Sequence, residues 1–589
     1  MLPDQLRAII LKSRIKETMN ADPAPIKPPT KVEDIKDASN FLRGTLAAGL
    51  EDRSTGAISQ DDTNISKFHG IYQQDHRDQR IERRKAGLEK AFLFMIRIRV
   101  PGGVCTPEQW LKIDALADTY GSHTLKLTSR QAFQLHFITK DVLKTTMQGI
   151  DAALMDCIAA CGDVNRNVMC NPNPWQSALH APVLEDVRAV STHLTPTTRA
   201  YHEIWLDGEK VSPEAEEEPI YGKTYLPRKF KIGFAIPPSN DIDIWTQDLG
   251  FIAIAENDSI VGYNLTVGGG LGMSHSDNKT YPRLANLLGY IPRQKILEVA
   301  EAIVKVQRDF GDRTNRKHAR LKYTIEDRGI DWFREELEQR LGYKMGQPRP
   351  FEFASSGDRY GWTRGTDNRW HYTLFIQNGR LRDTDDLPAK TGLREIAKVH
   401  LGDFRLTGNQ NLVIGGVSEE EKPRLEALLE KYKLNHPEHL TGLRLSSMAC
   451  VALPTCGLAL AESERYLPDL ITQLDETIEE CGLRHDDIII RMTGCPNGCA
   501  RPYLGEIGFV GRAPGKYNIY LGAAFDGSRL NKLYKPSVRA EHIVEELSPI
   551  IRRYATERME GERFGDFTIR AGYVNPTTEG RLFHEEIMA

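Results

Sequence analysis

Four cysteines in the last third of this chain constrain it more than any other feature, because the fold must account for where their sulfurs go. Cys450 and Cys456 are separated by five residues, and Cys495 and Cys499 by Pro496-Asn497-Gly498. The stretch between the pairs reads mostly as helix. Four thiolates drawn from two tight local pairs are what an iron–sulfur cube requires, one sulfur for each iron. Structural zinc is the rival, although its pairs are usually C-x2–4-C and the wider first gap fits that pattern poorly. Disulfides are disfavoured. The chain has nine cysteines, an odd number, and shows no secretory signal, so a reducing compartment is expected.

The 589 residues suffice for roughly two to four domains around large cores. A chain 40% apolar and 27% charged is an ordinary soluble protein, and no apolar run reaches the length of a membrane span. Residues 1 to 31 are polar with scattered Pro and Lys. They lack the apolar core of a signal peptide and carry acidic residues that a transit peptide avoids, so a cytoplasmic protein is expected. The net charge of −4 supplies no global basic field, which argues against nucleic acid as the main partner.

The first 30 or so residues read as a loose arm, and 31–90 as a highly charged extension ending near Gln79-Arg80-Ile81-Glu82-Arg83-Arg84-Lys85. Ala91 to Val100 predicts a buried strand closed by Pro101-Gly102-Gly103. Thr106 to Tyr120 predicts a helix with a capping box, Thr106 standing three residues before Gln109. Lys126 to Leu135 (KLTSRQAFQL) predicts a strand that recurs as Arg405 to Ile414 (RLTGNQNLVI). A second echo pairs Tyr263-Asn264-Leu265 before Gly268 with Tyr517-Asn518-Ile519 before Gly522. Each match alone is within reach of chance. Two in the same order, offset by 279 and 254 residues, point to an internal duplication. The expected fold is α/β (α+β), two related halves with pseudo-two-fold symmetry and cofactors in the cleft between them.

Basic residues cluster locally. Arg97 and Arg99 alternate with Ile96, Ile98 and Val100, so both guanidinium groups leave one strand face, and Lys229 and Lys231 do the same around Phe230. Arg166 in Asn165-Arg166-Asn167, Arg130 in the repeated strand, and Arg316, Lys317, Arg320 and Lys322 add to the set. Any one pair is most simply a solvated sheet face. Cations flanked by strongly apolar strand, however, need an anion to offset their lost hydration. Converging on one cleft, they suit a polyanionic cofactor and a small oxyanion. Cys157, Cys161 and Cys170 read as packing cysteines. The glycines at 268–270 and 272 lack the context of a nucleotide loop and read as close backbone approach to a flat cofactor.

Taken together, SMACVALPTC (447–456), TGCPNGC (493–499) and YLPRKFK (225–231) resemble the hemoprotein subunits of assimilatory sulfite reductases, in the siroheme sulfite/nitrite reductase family. FLRGT (41–45), FHGIYQQ (68–74), NRN (165–167) and GDFTIRAG (565–572) agree, and the likeness covers nearly all of the chain beyond about residue 38. The resemblance implies siroheme coupled to a [4Fe-4S] cluster, reducing sulfite to sulfide by six electrons in assimilatory sulfate reduction and cysteine biosynthesis. It implies Cys450, Cys456, Cys495 and Cys499 as cluster ligands, with Cys499 also the proximal ligand of the siroheme iron. Arg97, Arg166, Lys229 and Lys231 fall on the family's substrate site, binding the oxyanion and stabilising each oxygen as it leaves. The lysines can also deliver protons.

Lys126, Arg130, Arg228, Arg320 and Lys322 are the implied clamps for the siroheme carboxylates, and Asn497 is expected at the cofactor. Lys126 and Arg320 stand where relatives are expected to carry Arg and Lys, which keeps charge but loses a bidentate contact at Lys126. The implied division is an arm and charged extension at 1–90, a possible donor-docking region; a ferredoxin-like repeat domain at 91–158 with 360–433; a first siroheme and substrate domain at 159–359; and a second, with the cysteines, at 434–589.

The alternatives are a siroheme nitrite reductase and a non-catalytic zinc or iron–sulfur binding protein. The first cysteine pair separates the enzymes: Ala449-Cys450-Val451 is of the sulfite type, where nitrite enzymes typically read Cys-Thr-Gly. No flavin or NADPH domain is apparent, so electrons are expected from another protein, an NADPH-oxidising flavoprotein carrying FAD and FMN, with ferredoxin as the alternative.

Overall fold

The two sequence echoes are two pairs of equivalent sheets. The computed structural model describes residues 27–173, 177–197, 218–435 and 439–585, and the backbone alone at 205–206 and 209–210. One sheet runs Ile71–Asp75, Phe92–Ile98, Phe133–Ile138, Leu125–Leu127, Arg380–Leu381, antiparallel throughout. Its counterpart runs Gly361–Arg364, Trp370–Leu374, Leu412–Val417, Asp403–Leu406, Val104–Cys105, again antiparallel. Each sheet takes its last strand from the other copy. The exchange ties the copies into one core, in which Trp110, wholly buried on the capped helix Pro107–Tyr120, packs against Phe133 of one sheet and Phe404 of the other. The capping box is present as the sequence predicts, with Thr106 and Gln109 bonded reciprocally.

The repeated segment is a tight hairpin rather than one strand. Thr128 and Thr407 each close a turn, donating N–H to the carbonyls of Ala132 and Asn411 and accepting the N–H of those same residues on their hydroxyls at 3.1 Å. Gln131 and Gln410 hold positive φ at matching places. Polar turn residues inside an apolar pattern disguise such a reversal as continuous strand.

The second echo lies in the other pair of sheets. Met169–Cys170, Ile232–Ala235, Leu249–Glu256, Ser259–Val267 and Asn286–Pro292 pair parallel, parallel, antiparallel and antiparallel. Ser447–Ala449, Ile490–Thr493, Ile507–Ala513, Lys516–Leu521 and Lys532–Arg539 repeat that order and sense. Gly268 and Gly522 both take positive φ directly after the equivalent strands. In each copy the first strand precedes a 14-residue helix, His180–His193 or Leu467–Glu480, and the last strand leads into a 15-residue helix, Ile296–Phe310 or Ile543–Glu557.

The expected extension at 31–90 is not an appendage. In the helix Lys31–Asp37, Glu33 and Lys36 are buried; the Lys36 ammonium donates to the Leu226 carbonyl (2.8 Å) and Glu33 (2.6 Å), and Arg313 pairs with Glu33. Leu42 lies in the core, its carbonyl 2.6 Å from His69 Nε2. The charges of this stretch are partly met by residues far along the chain, Leu226 and Arg313. The arm itself, residues 1–26, lies outside the described residues.

Candidate functional site

Both hairpin turns press on the cysteine turn. Ser129 Oγ donates to the Cys499 carbonyl (2.9 Å), and Arg501 donates to the carbonyls of Ser129 (2.8 Å) and Gly408 (2.7 Å), one in each turn. Asp243 pairs with Arg501 and with Arg491 (2.7 Å), giving these buried guanidinium groups a counter-charge. From the other side Met273 N–H donates to the Pro496 carbonyl (3.0 Å). A Cβ at Gly272 would stand 3.3 Å from the Asn497 carbonyl, and one at Gly269 would collide with the Trp245 carbonyl at 2.3 Å. The glycines thus serve the packing of loop on loop, not only approach to a cofactor as the sequence suggested.

Cys450 and Cys495 follow the C-terminal ends of adjacent parallel strands, Ser447–Ala449 and Ile490–Thr493, where open α/β sheets place their ligands. Gly494 N–H points at Cys450 Sγ (3.4 Å) and Asn497 Nδ2 at Cys495 Sγ (3.5 Å). The Cys456 loop is held by Arg77, which donates to the carbonyls of Cys456 (2.9 Å) and Ala459 (3.2 Å). Burial pushes the Cys450 thiol well up, and Cys499, Cys495 and Cys456 push it further. Burial and then Cys499 raise Cys456, and the same causes take Cys495 to about 12. The four sulfurs therefore share one electrostatic site. Yet among the described residues no three His, Cys, Asp or Glu side chains are arranged to hold a single metal ion. The thiols feel each other's charge, and a metal centre bound there would supply the positive charge that draws off their protons.

Cys499, the exposed member of the set, opens onto a cavity lined also by Arg130, Lys229, Lys231, Arg320 and Asn497. Phe230 is wholly buried, so Lys229 and Lys231 share the opposite face, as period two predicts. The segment carrying Arg166 lies alongside, its N–H donating to the Phe230 carbonyl (3.0 Å). Among the described residues neither lysine ammonium makes a hydrogen bond; Arg130 donates to Gln247 and the Ile232 carbonyl (both 2.9 Å) and Arg166 to the Gly162 carbonyl (3.1 Å), and the Nε of each is buried without a partner. Burial, then Lys231 and Arg166, holds Lys229 well below the usual lysine range. Burial, then Arg130 and Arg320, does the same to Lys231, against the opposing pull of Asp248. Burial and then Arg166 bring Arg130 down to about 9. Two ammonium groups without a counter-charge of their own, beside the guanidinium groups of Arg130 and Arg166, fit an anion in this cavity.

A pH dependence follows. An anion entering the cavity raises the depressed lysine values toward normal, so binding takes up protons, and affinity falls as pH rises through those depressed values. Titration calorimetry with sulfite in buffers of differing ionisation enthalpy, corrected for sulfite's own ionisation, should show proton uptake as pH rises through the depressed lysine values. Heats independent of the buffer would contradict the electrostatic reading.

The structure sorts the predicted residues. It brings together the four cysteines, Asn497, Lys229, Lys231, Arg130 and Arg320, with Arg320 already bidentate on buried Asp248 (2.8–3.1 Å). Arg166 stands close enough to depress both lysines. Arg228 is nearby, brought down to about 10 by burial and Arg316. Lys126 and Lys322 are not on the cavity. Lys126 is wholly enclosed, its ammonium on Glu464 (2.7 Å) and the Asn378 carbonyl. Lys322 holds the glycine loop through the carbonyls of Gly270 and Gly272, both 3.1 Å. Arg99 is paired with Asp156 (2.8 Å), away from Arg97.

Cys161 is more than the packing residue expected. Its Sγ accepts from Arg97 (2.8 Å), and its charge acts on Tyr72, as do Arg166 and Arg97. Sequence reasoning missed Tyr72, Cys161 and Arg501. Arg501, two residues past Cys499, and Tyr72, inside FHGIYQQ, carried a positional hint; Cys161 carried none.

Two family descriptions match the chain. The nitrite/sulfite reductase ferredoxin-like half domain matches residues 87–153 and 363–432, which cover the strand-exchanged pair, and the nitrite and sulphite reductase 4Fe-4S domain matches 185–345, in the copy without the four cysteines. Curated relatives named sulfite reductase [NADPH] hemoprotein beta-component align almost end to end. Those of Anoxybacillus flavithermus and Geobacillus kaustophilus are each 58% identical, over 95% of this chain and 99% of the relative. That of Staphylococcus saprophyticus is 56% identical, over 94% and 98%. Among solved structures the Mycobacterium tuberculosis NirA protein has the same fold, with TM-score 0.75 and 24% identity over 93% of this chain and 97% of that one.

Proposed function

The chain belongs to the nitrite and sulfite reductase family, and from that premise we propose that it is a sulfite reductase hemoprotein component, reducing sulfite to sulfide with siroheme and a [4Fe-4S] cluster. One observation carries the reading: the exposed thiol of Cys499 and the partnerless ammonium groups of Lys229 and Lys231 line a single cavity. Nitrite is the second reading. The sulfite-type sequence around Cys450 and the names of the relatives favour sulfite.

Cys450, Cys456, Cys495 and Cys499 would hold the cluster, with Cys499 shared with the siroheme, and Arg130, Arg228 and Arg320 would offset the charge of the siroheme carboxylates. When bound, these groups supply electrons and the iron at which S–O bonds break. The side chains do the rest. Lys229 and Lys231, with Arg166 and Arg97 behind them, bind the oxyanion and offset charge as each oxygen departs. Sulfite, six electrons and eight protons give hydrogen sulfide and three waters. Each leaving oxygen needs two protons, which Lys229 and Lys231 can donate from Nζ and regain from solvent.

The electrons come from a partner: an NADPH-oxidising flavoprotein is the reading the relatives' names support, with ferredoxin second. No described helix is long and apolar enough to cross a membrane, and a cytoplasmic location is proposed. Functionally the chain divides into the repeat domain 91–158 with 360–433, a siroheme and substrate domain 159–359, and a cysteine-bearing domain 434–589. With NADPH, a sulfite reductase flavoprotein subunit and sulfite, three NADPH should be consumed per sulfide formed. Nitrite turnover without sulfide production would reverse the assignment.

A further inference from the structure

The thiols and cations explain where chemistry occurs but not how electrons reach a centre enclosed in protein. One covalent route to the surface is short. Leu458 lies two residues past Cys456 and is 66% exposed, and a Cβ built at the intervening Gly457 meets nothing within 4 Å. A second segment is fastened against this loop. Besides its two side-chain bonds to the loop, Arg77 donates its N–H to the Pro454 carbonyl (2.9 Å), and Asp78 pairs with Arg465 (2.8 Å). Arg77–Gln79 leads directly into the helix Arg80–Lys85. Ile81 and Arg84 stand on the helix that this anchored turn begins, four and seven residues past Arg77. Ile81 is 58% exposed, and Arg84 and Lys85 are exposed beside it. Apolar centre and charged rim are the anatomy of a docking surface.

We propose that the face formed by Leu458 and Ile81, rimmed by Arg84 and Lys85, is the electron-entry surface, and that its occupant is an acidic flavin-bearing domain of the NADPH-oxidising partner. This rests on the donor reading under Proposed function. The occupant's charge follows from complementarity: Asp75 takes up Arg80 (2.6 Å), and Asp78 and Glu462 share Arg465, which leaves Arg83, Arg84 and Lys85 against Glu82 as a local positive face in a chain whose net charge is −4. Leu458 excludes water at the point of contact, and the rim steers and orients the partner. At each visit the reduced flavin loses one electron and the thiol-bound centre gains one. No bond forms or breaks in this chain, and six visits serve one sulfite.

The test uses the full holoprotein with two surface variants, Ile81→Asp combined with Arg84→Glu, and Leu458→Glu alone. Binding of a purified sulfite reductase flavoprotein subunit is measured by calorimetry at low and raised salt. Turnover is measured with NADPH and that subunit, and separately with reduced methyl viologen. The expected result is binding weakened about tenfold with a flatter salt dependence, a similar loss of NADPH-driven turnover, and unchanged viologen turnover. Unchanged binding in both variants would overturn the proposal. So would equal losses with both donors accompanied by a diminished Soret band, which would make the patch structural. A wild-type chain that turns over with viologen but does not bind the flavoprotein would refute the donor reading itself, and the occupant with it.

Discussion

Cys499→Ser should reduce sulfite turnover to background with any donor. Serine differs from cysteine by one atom, yet its oxygen is a poor ligand for both centres proposed to share this sulfur. The backbone should not suffer. The Cys499 carbonyl still accepts from Ser129, and Arg501 still fixes the turn through Ser129 and Gly408. Cys499 is the exposed member of the four, so no core packing is lost. The readouts besides activity are the Soret band and the electron-paramagnetic signature of coupling between the centres, both of which should change while the far-ultraviolet circular dichroism does not. Cys481→Ser, on a half-buried cysteine outside the set, should change none of these. A normal Soret band with normal turnover in Cys499→Ser would remove the shared-ligand assignment.

Lys229→Met should lower sulfite turnover by about a hundredfold, the scale of losing one preorganised electrostatic group. Methionine keeps the length and apolar stem of lysine and removes the cation and its proton. The ammonium stands in the cavity at a cost, held below the usual lysine range by burial and by Lys231 and Arg166, so its removal should leave the fold no less stable. Siroheme content should stay normal, because the clamps proposed for its carboxylates lie on other residues. The loss should be larger for sulfite than for hydroxylamine, which is neutral near pH 7 and needs less help in binding. Steady-state rates with a dye donor, beside cofactor quantitation, decide the matter. An unchanged sulfite rate takes Lys229 out of the active site, and lost siroheme moves it to cofactor binding.

What the sequence made legible was what repeats or what chemistry forces. The duplication was visible because equivalent buried strands kept the same polar interruptions: Thr128 and Thr407 at the hairpin turns, Asn264 and Asn518 before Gly268 and Gly522. The exchange of Val104–Cys105 and Arg380–Leu381 between sheets was not, since two-residue strands leave no periodicity to read. Charge was legible residue by residue, but its partner was not. Lys126 and Lys322 looked like clamps because nothing local hinted at Glu464, 338 positions from Lys126, or at the glycine carbonyls that take the Lys322 ammonium. Glu33 and Lys36, in a stretch legible only as highly charged, form a buried pair. Cys161 was discounted because a lone buried cysteine is usually packing, and only its neighbours Arg97 and Tyr72 reveal a polar setting.

The central claim is that four coupled thiols and one cation-lined cavity hold a [4Fe-4S] cluster together with siroheme. Metal, labile sulfide and porphyrin analysis of the purified chain tests this most directly. About five irons and four labile sulfides per chain, a siroheme-type Soret band and no stoichiometric zinc are expected. A colourless chain with one zinc and no labile sulfide would contradict it.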